Sequence, residues 1–136
     1  MPDIHQIARD IFEAQPFSQF LAAHLVSTGP NAAEIRIDIT DKLKQQHGFV
    51  HGGVVSYLAD NAITFAGGVA LGGNALTSEY KINYVKPAIG SHLIARAEAK
   101  SVGKRQAVCL AEVYAVKDGV ENLCAIAQGT VVRSDS

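Results

Sequence analysis

The residues best suited to chemistry lie in one stretch, His47-Gly48-Phe49-Val50-His51-Gly52-Gly53, which runs directly into an apolar segment over 54–70. That segment is apolar on nearly every face, the pattern of a helix buried on most sides. Its polar exceptions, Ser56, Asp60 and Thr64, are spaced four apart and line one narrow strip, with Asn61 beside them. A carboxylate in mid-helix among apolar neighbours is costly unless it is paired or has work to do. At the helix start, Gly52 and Gly53 leave backbone N–H groups approachable where the helix dipole favours developing negative charge. The stretch therefore offers an acid or base and an electrophilic hole. The other reading of Asp60, as a satisfied structural acid, stays open at this level.

Competing chemistries fit less well. His47 and His51 are four apart and with Asp60 suggest a metal site. The intervening and following glycines, however, break the continuous helix that would aim both rings at one ion, and a catalytic zinc usually takes three protein ligands. No metal is expected, and His51 is read as fixing its loop through a backbone hydrogen bond. Gly67-Gly68-x-x-x-Gly72-Gly73 follows a helix rather than a strand and does not match the dinucleotide fingerprint. Ser56 lacks the glycine pattern of a nucleophile elbow.

The elements that must position these residues can be read in order. Asp3 caps a short helix with Ile4, Ile7, Ala8, Ile11 and Phe12 on one face, and Pro16 breaks it. Phe17, Phe20 and Leu21 suggest a further turn, so residues 1–22 form a helical flap. A short strand is expected over 24–27, a turn at Gly29-Pro30-Asn31, and an alternating strand over 33–40. After the central helix, Gly67-Gly68 and Gly72-Gly73 are expected to loosen or end it. Strands follow over 75–86, 92–102, 106–117 and 120–133, with turns at Pro87 and Gly90, at Gly103-Lys104-Arg105 and at Asp118-Gly119. Short turns make the strands antiparallel. One buried helix against a sheet that must curl around it is an α+β, hot-dog-like arrangement.

The 136 residues suit one domain with one core, 1–136. At 48% hydrophobic and 18% charged the chain is ordinary for a soluble globular protein. A net charge of -1 without a basic block argues against a nucleic-acid surface. No apolar run is read as long enough for a membrane span. The start, Met1-Pro2-Asp3-Ile4-His5, lacks the features of a signal peptide, so a cytosolic location is expected. Cys109 and Cys124 are expected to be free thiols. If Asp118-Gly119 makes a two-residue turn, Lys117 pairs with Val120, Val113 faces Cys124 and Cys109 faces Gln128, too far apart for a disulfide.

The run from His47 through His51-Gly52-Gly53 to Leu58-Ala59-Asp60 resembles the PaaI-type hot-dog-fold acyl-CoA thioesterases. The likeness extends over about 34–133, including Tyr84-x-x-Pro87 and the Gly103-Lys104-Arg105 turn. The resemblance implies hydrolysis of an acyl- or aryl-CoA thioester to free acid and coenzyme A, with no cofactor. It implies that the Gly52 N–H polarises the thioester carbonyl and that Asp60 is general base or nucleophile. Gln45 falls where relatives hold the carbonyl or water, and Thr77 and Thr64 where relatives place a hydroxyl partner of the acid. His51, Gly53, Lys104 and Arg105 are implied as binding residues for the coenzyme A ester, with Lys104 and Arg105 where coenzyme A phosphates are contacted. The family's sites lie between subunits, which implies a homodimer or a tetramer of two dimers. Two rivals remain: a non-catalytic acyl-CoA sensor, and a hot-dog hydratase or dehydratase.

Overall fold

The computed structural model describes residues 3–134; Met1, Pro2, Asp135 and Ser136, and with them part of the N-terminal segment read above, lie outside the described residues. The helices are α1 (Ile4–Glu13), α2 (Pro16–Phe20) and α3 (Gly52–Leu71). The strands are β1 (His24–Thr28), β2 (Ala32–Asp38), β3 (Ala75–Tyr84), β4 (His92–Val102), β5 (Gln106–Lys117) and β6 (Val120–Arg133). They form one antiparallel sheet in the order β1-β2-β4-β5-β6-β3, which is not closed, so β1 and β3 are its edges. The sheet curls around α3 in the hot-dog arrangement.

Alternation explains how the sheet holds the helix. Ala95 and Ala97 of β4 and Ala111 and Val113 of β5 point inward and are buried. Small alanines at so many inward positions let the strands approach α3 closely, against Leu58, Ala62, Ile63 and Ala66. Arg96, between two inward alanines, points outward and bridges Glu34 (2.8 Å) and Glu121 (2.7 Å). Being half exposed, these pairs contribute little to stability.

Four expectations need correction. The helix is not loosened at Gly67-Gly68 but runs on to Leu71. Gly67 is there for packing, since a Cβ at this position would lie 2.8 Å from the Val131 side chain. The ending falls at Gly72, left-handed at φ 78°, whose N–H and that of Gly73 both reach the Gly68 carbonyl. Second, β2 stops at Asp38 and β3 at Tyr84, each two residues early. Third, α3 is long and apolar enough to cross a membrane, contrary to the sequence reading, but most of it is buried inside the protein. Fourth, Lys117 does pair with Val120 across a turn with positive φ at Asp118 and Gly119, but the register then slips. Val113 pairs with Ala125 and Cys109 with Gly129, because Cys124 is an extra bulged residue whose Sγ donates to the Val113 carbonyl. Both cysteines are buried free thiols, and burial pushes each up to about 11.

Candidate active site

At the N-terminal end of α3, His51 is the cap residue, with φ -59° and ψ 135°. Its Nδ1 accepts the Gly53 N–H at 2.8 Å. This backbone bond is the loop-fixing role expected for His51. It also corrects the picture of two bare amides: the Gly53 N–H is taken, whereas the Gly52 N–H has no partner among the described residues. The ring of Tyr84, from the end of β3, lies against Gly52, where a Cβ would stand 3.5 Å from Cε1, and its hydroxyl donates to the Gly52 carbonyl at 3.3 Å. Gln45 accepts the His47 N–H through Oε1, so its amide oxygen is held by its own loop. Gln45, Gly52, Tyr84, Phe49 and Val55 line an open cavity of about 340 Å³. Gln45 and Gly52 are thus brought together, with a helix dipole aimed past them.

Two turns further along α3 lies the strip. Asp60 is half-buried, and its Oδ1 is fully buried with no hydrogen-bond partner among the described residues. Thr64 donates to the Asp60 backbone carbonyl at 2.8 Å and meets the Thr77 hydroxyl at 2.6 Å. With the Thr64 proton on that carbonyl, Thr77 is the donor in the second bond. The two threonines are tied to each other beside Asp60 and do not bond its carboxylate. Ser56 likewise pairs with the Tyr80 hydroxyl. The strip's hydroxyls are therefore satisfied and its acid is not.

The acid and the free amide are separated within one chain. Asp60 is eight residues beyond Gly52, about 12 Å along the helix axis at the usual rise. A reacting carbonyl must come within about 3 Å of both its activating donor and its base or nucleophile. Lys104 and Arg105 are further off still. Their turn joins β4 to β5, and the Arg105 carbonyl accepts the Arg133 N–H at 2.7 Å. Arg133 also bonds the Leu71 carbonyl, placing this turn at the C-terminal end of α3, roughly 28 Å along the axis from Gly52. Lys104 is exposed. Among the described residues no three His, Cys, Asp or Glu side chains are grouped to hold a metal ion.

Sequence reasoning missed two features. Tyr84 was legible only as part of Tyr84-x-x-Pro87; nothing local says that its ring covers Gly52. The second is a polar cluster joining the flap to α3. The Ser18 hydroxyl bonds Gln15 (2.7 Å) and Tyr57 (2.6 Å), and the Asn61 amide reaches Gln15 and Tyr57, both at 3.1 Å. Burial raises the Tyr57 hydroxyl above its ordinary value. The available signal was Asn61 itself, a polar residue on a helix with no solvated face.

A curled antiparallel sheet around one long helix, with a glycine amide at the helix start and an acid two turns on, defines the class as a PaaI-type hot-dog thioesterase fold. A profile of the thioesterase superfamily matches residues 47–122, more than half the chain, and the chain belongs to that superfamily. A thioesterase family protein of Silicibacter pomeroyi is 35% identical, with 93% of this chain and 95% of that one covered and a TM-score of 0.89. The Escherichia coli PaaI protein of the phenylacetic acid degradation operon, 24% identical, shares the fold at a TM-score of 0.86, over 96% of this chain and 93% of that one. A Saccharolobus solfataricus protein that carries a provisional esterase name is 28% identical over 90% of this chain and 81% of its own length.

Proposed function

We propose that the protein is an acyl-CoA thioesterase, hydrolysing an acyl- or aryl-CoA to the free acid and coenzyme A. The observation that carries this reading is the buried Oδ1 of Asp60 on the same helix as the Gly52 N–H, neither of which has a partner among the described residues. Thioester hydrolysis needs one group of each kind. The Gly52 N–H and the helix dipole stabilise the oxyanion that forms at the carbonyl. Asp60 either takes a proton from the attacking water or itself attacks the carbonyl carbon. In the first case the tetrahedral intermediate collapses, the C–S bond breaks and the proton held by Asp60 goes to the coenzyme A sulfur. In the second the thiolate leaves an acyl-Asp60 anhydride, which water then hydrolyses to the free acid, restoring the carboxylate and supplying the proton for the thiol. Gln45 keeps the loop beside Gly52 in place and faces the same cavity. Thr64 and Thr77 hold the helix and β3 together beside the acid.

The separation of Gly52 from Asp60 gives this reading its geometry: the site lies between two copies of the chain. β3 is a ten-residue edge strand with open backbone groups, and Leu76 on it is 68% exposed. Pairing two copies along β3 sets their α3 helices antiparallel, so that Gly52 of each approaches Asp60 of its partner. In such a dimer, or a tetramer of two dimers, Lys104 and Arg105 hold coenzyme A phosphates. The buried thiols suit a reducing cytosol. Commitment of His51 Nδ1 to the Gly53 N–H counts against a hydratase that uses this histidine on its substrate.

Incubation with a panel of acyl- and aryl-CoA esters, read by released thiol, tests the activity. Turnover of at least one ester, lost in Asp60→Asn, supports the reading. Tight binding of the esters without turnover would make the protein a sensor instead.

A further inference from the structure

The two adjacent glycines in α3 are small for different reasons. A Cβ at Gly67 would collide with Val131, so packing demands glycine there. At Gly68 a Cβ would meet only the Gly73 carbonyl at 3.5 Å and Ala75 Cβ at 3.8 Å, ordinary contacts. An interior glycine also weakens a helix relative to alanine. Packing therefore does not account for Gly68. What its missing side chain leaves is space: Gly68 lines a cleft of about 90 Å³ between α1 and the C-terminal half of α3, with Ile4, Ile7, Ile11, Phe65 and Ala75 as apolar walls. Thr64 lines the same cleft, one turn beyond Asp60 on the same strip. Asp60, Thr64 and Gly68 fall at successive i,i+4 positions on one strip of α3; Thr64 and Gly68 line the cleft, and Asp60 stands one turn before it.

We infer that this cleft takes the acyl group of the substrate, that the acyl group is a short aliphatic chain, and that Gly68 sets its permitted length. The inference rests on the thioesterase reading of Asp60, which fixes where the thioester carbon must stand. An acyl chain leaving that carbon passes Thr64 and lies between α1 and α3. Size then limits it. A cavity of about 150 Å³ lined by apolar side chains admits a benzene molecule. In proportion, 90 Å³ holds about four carbons beyond the carbonyl. The flap helix α1 is thereby a specificity element, because three of the walls come from it.

Binding of non-hydrolysable S-alkyl-CoA thioethers with two to ten carbons, measured by calorimetry on the full chain, tests the cleft without requiring turnover. Affinity should tighten about fourfold per methylene over about four carbons and then level off. Gly68→Val should remove most of that gain, and Gly68→Ala about one methylene's worth, roughly fourfold. Ile7→Ala should move the plateau to longer chains. Should Gly68→Val fail to fold, Gly68→Ala and Ile7→Ala decide the matter, since alanine suits both helices. Affinity independent of length, affinity that keeps rising to ten carbons, or identical profiles in wild type and folded Gly68 variants would overturn the inference. The two readings fail separately. Hydrolysis of CoA esters with a flat thioether profile sinks the cleft alone, and the expected profile without hydrolysis of any ester sinks the enzyme assignment and leaves the cleft standing.

Discussion

Asp60 and Asn61 are neighbours in the chain and opposites in environment. The Asn61 amide faces the flap and finds Gln15, Tyr57 and, at 3.4 Å, Ser18, closing a polar cluster that ties α2 and its N-cap residue Gln15 to α3. Asp60, a step of about 100° around the same helix, keeps a buried oxygen with no partner among the described residues. Leaving such a group unsatisfied costs about 1–3 kcal/mol or more when it is charged. The fold thus answers the problem of a buried polar side chain on one face and leaves it unanswered on the next. On the proposed function, the contrast separates polar residues that hold the structure from one that acts on substrate. It also sets an expectation that can be broken: substitutions on the Asp60 side should remove activity and spare stability, and those on the Asn61 side should do the reverse.

The largest effect should come from Asp60→Asn. Thioester hydrolysis should fall about 10²–10⁴-fold, the usual worth of a positioned acid or base, with an unchanged or raised melting temperature. Near wild-type turnover would return Asp60 to the structural class. Next comes Gly52→Pro, which deletes the proposed oxyanion donor and little else. Proline is tolerated at a first helical position, and His51 already has the extended backbone that the residue before proline requires. Turnover should drop about 10²–10³-fold while circular dichroism is preserved. Replacing Lys104 and Arg105 together by Ala should raise KM for CoA esters at least about tenfold with little change in kcat, because phosphate contacts bind ground and transition states alike. A short thioester without the nucleotide should be indifferent to the same change. The smallest effect on catalysis should come from Ser18→Ala, on the satisfied side. It should lower unfolding free energy in urea by about 1–3 kcal/mol and leave kcat/KM within about twofold. A large loss of activity in folded Ser18→Ala would erase the distinction between the two faces.

Much of this was readable from residue order, because the signals were local. Alternation located β2 and β4, the Asp118-Gly119 pair located the β5–β6 hairpin, and the four-residue spacing of Ser56, Asp60 and Thr64 put them on one strip. What escaped depends on contacts between distant elements. That Gly67 serves packing inside α3 rather than ending it is seen only against Val131, more than sixty residues away. The bulge at Cys124 shifts a register that the turn alone would have set differently. The loss of the Gly53 amide follows from a histidine turning back on its own helix start, which the sequence allowed without saying which amide it would take. The distance between Gly52 and Asp60 was implicit in their spacing, but its meaning depends on the open edge of β3.

That distance makes the central claim testable by mixing. Asp60→Asn retains the Gly52 amide, and Gly52→Pro retains the carboxylate, so each homodimer has two broken sites. If every site takes Gly52 from one chain and Asp60 from its partner, a mixed dimer regains one intact site of two. Unfolding and refolding the two variants together at equal amounts, with exchange verified by mass spectrometry, should therefore restore about a quarter of wild-type specific activity if pairing is random. Mixed dimers that form yet stay as inactive as their parents would contradict a site shared between chains.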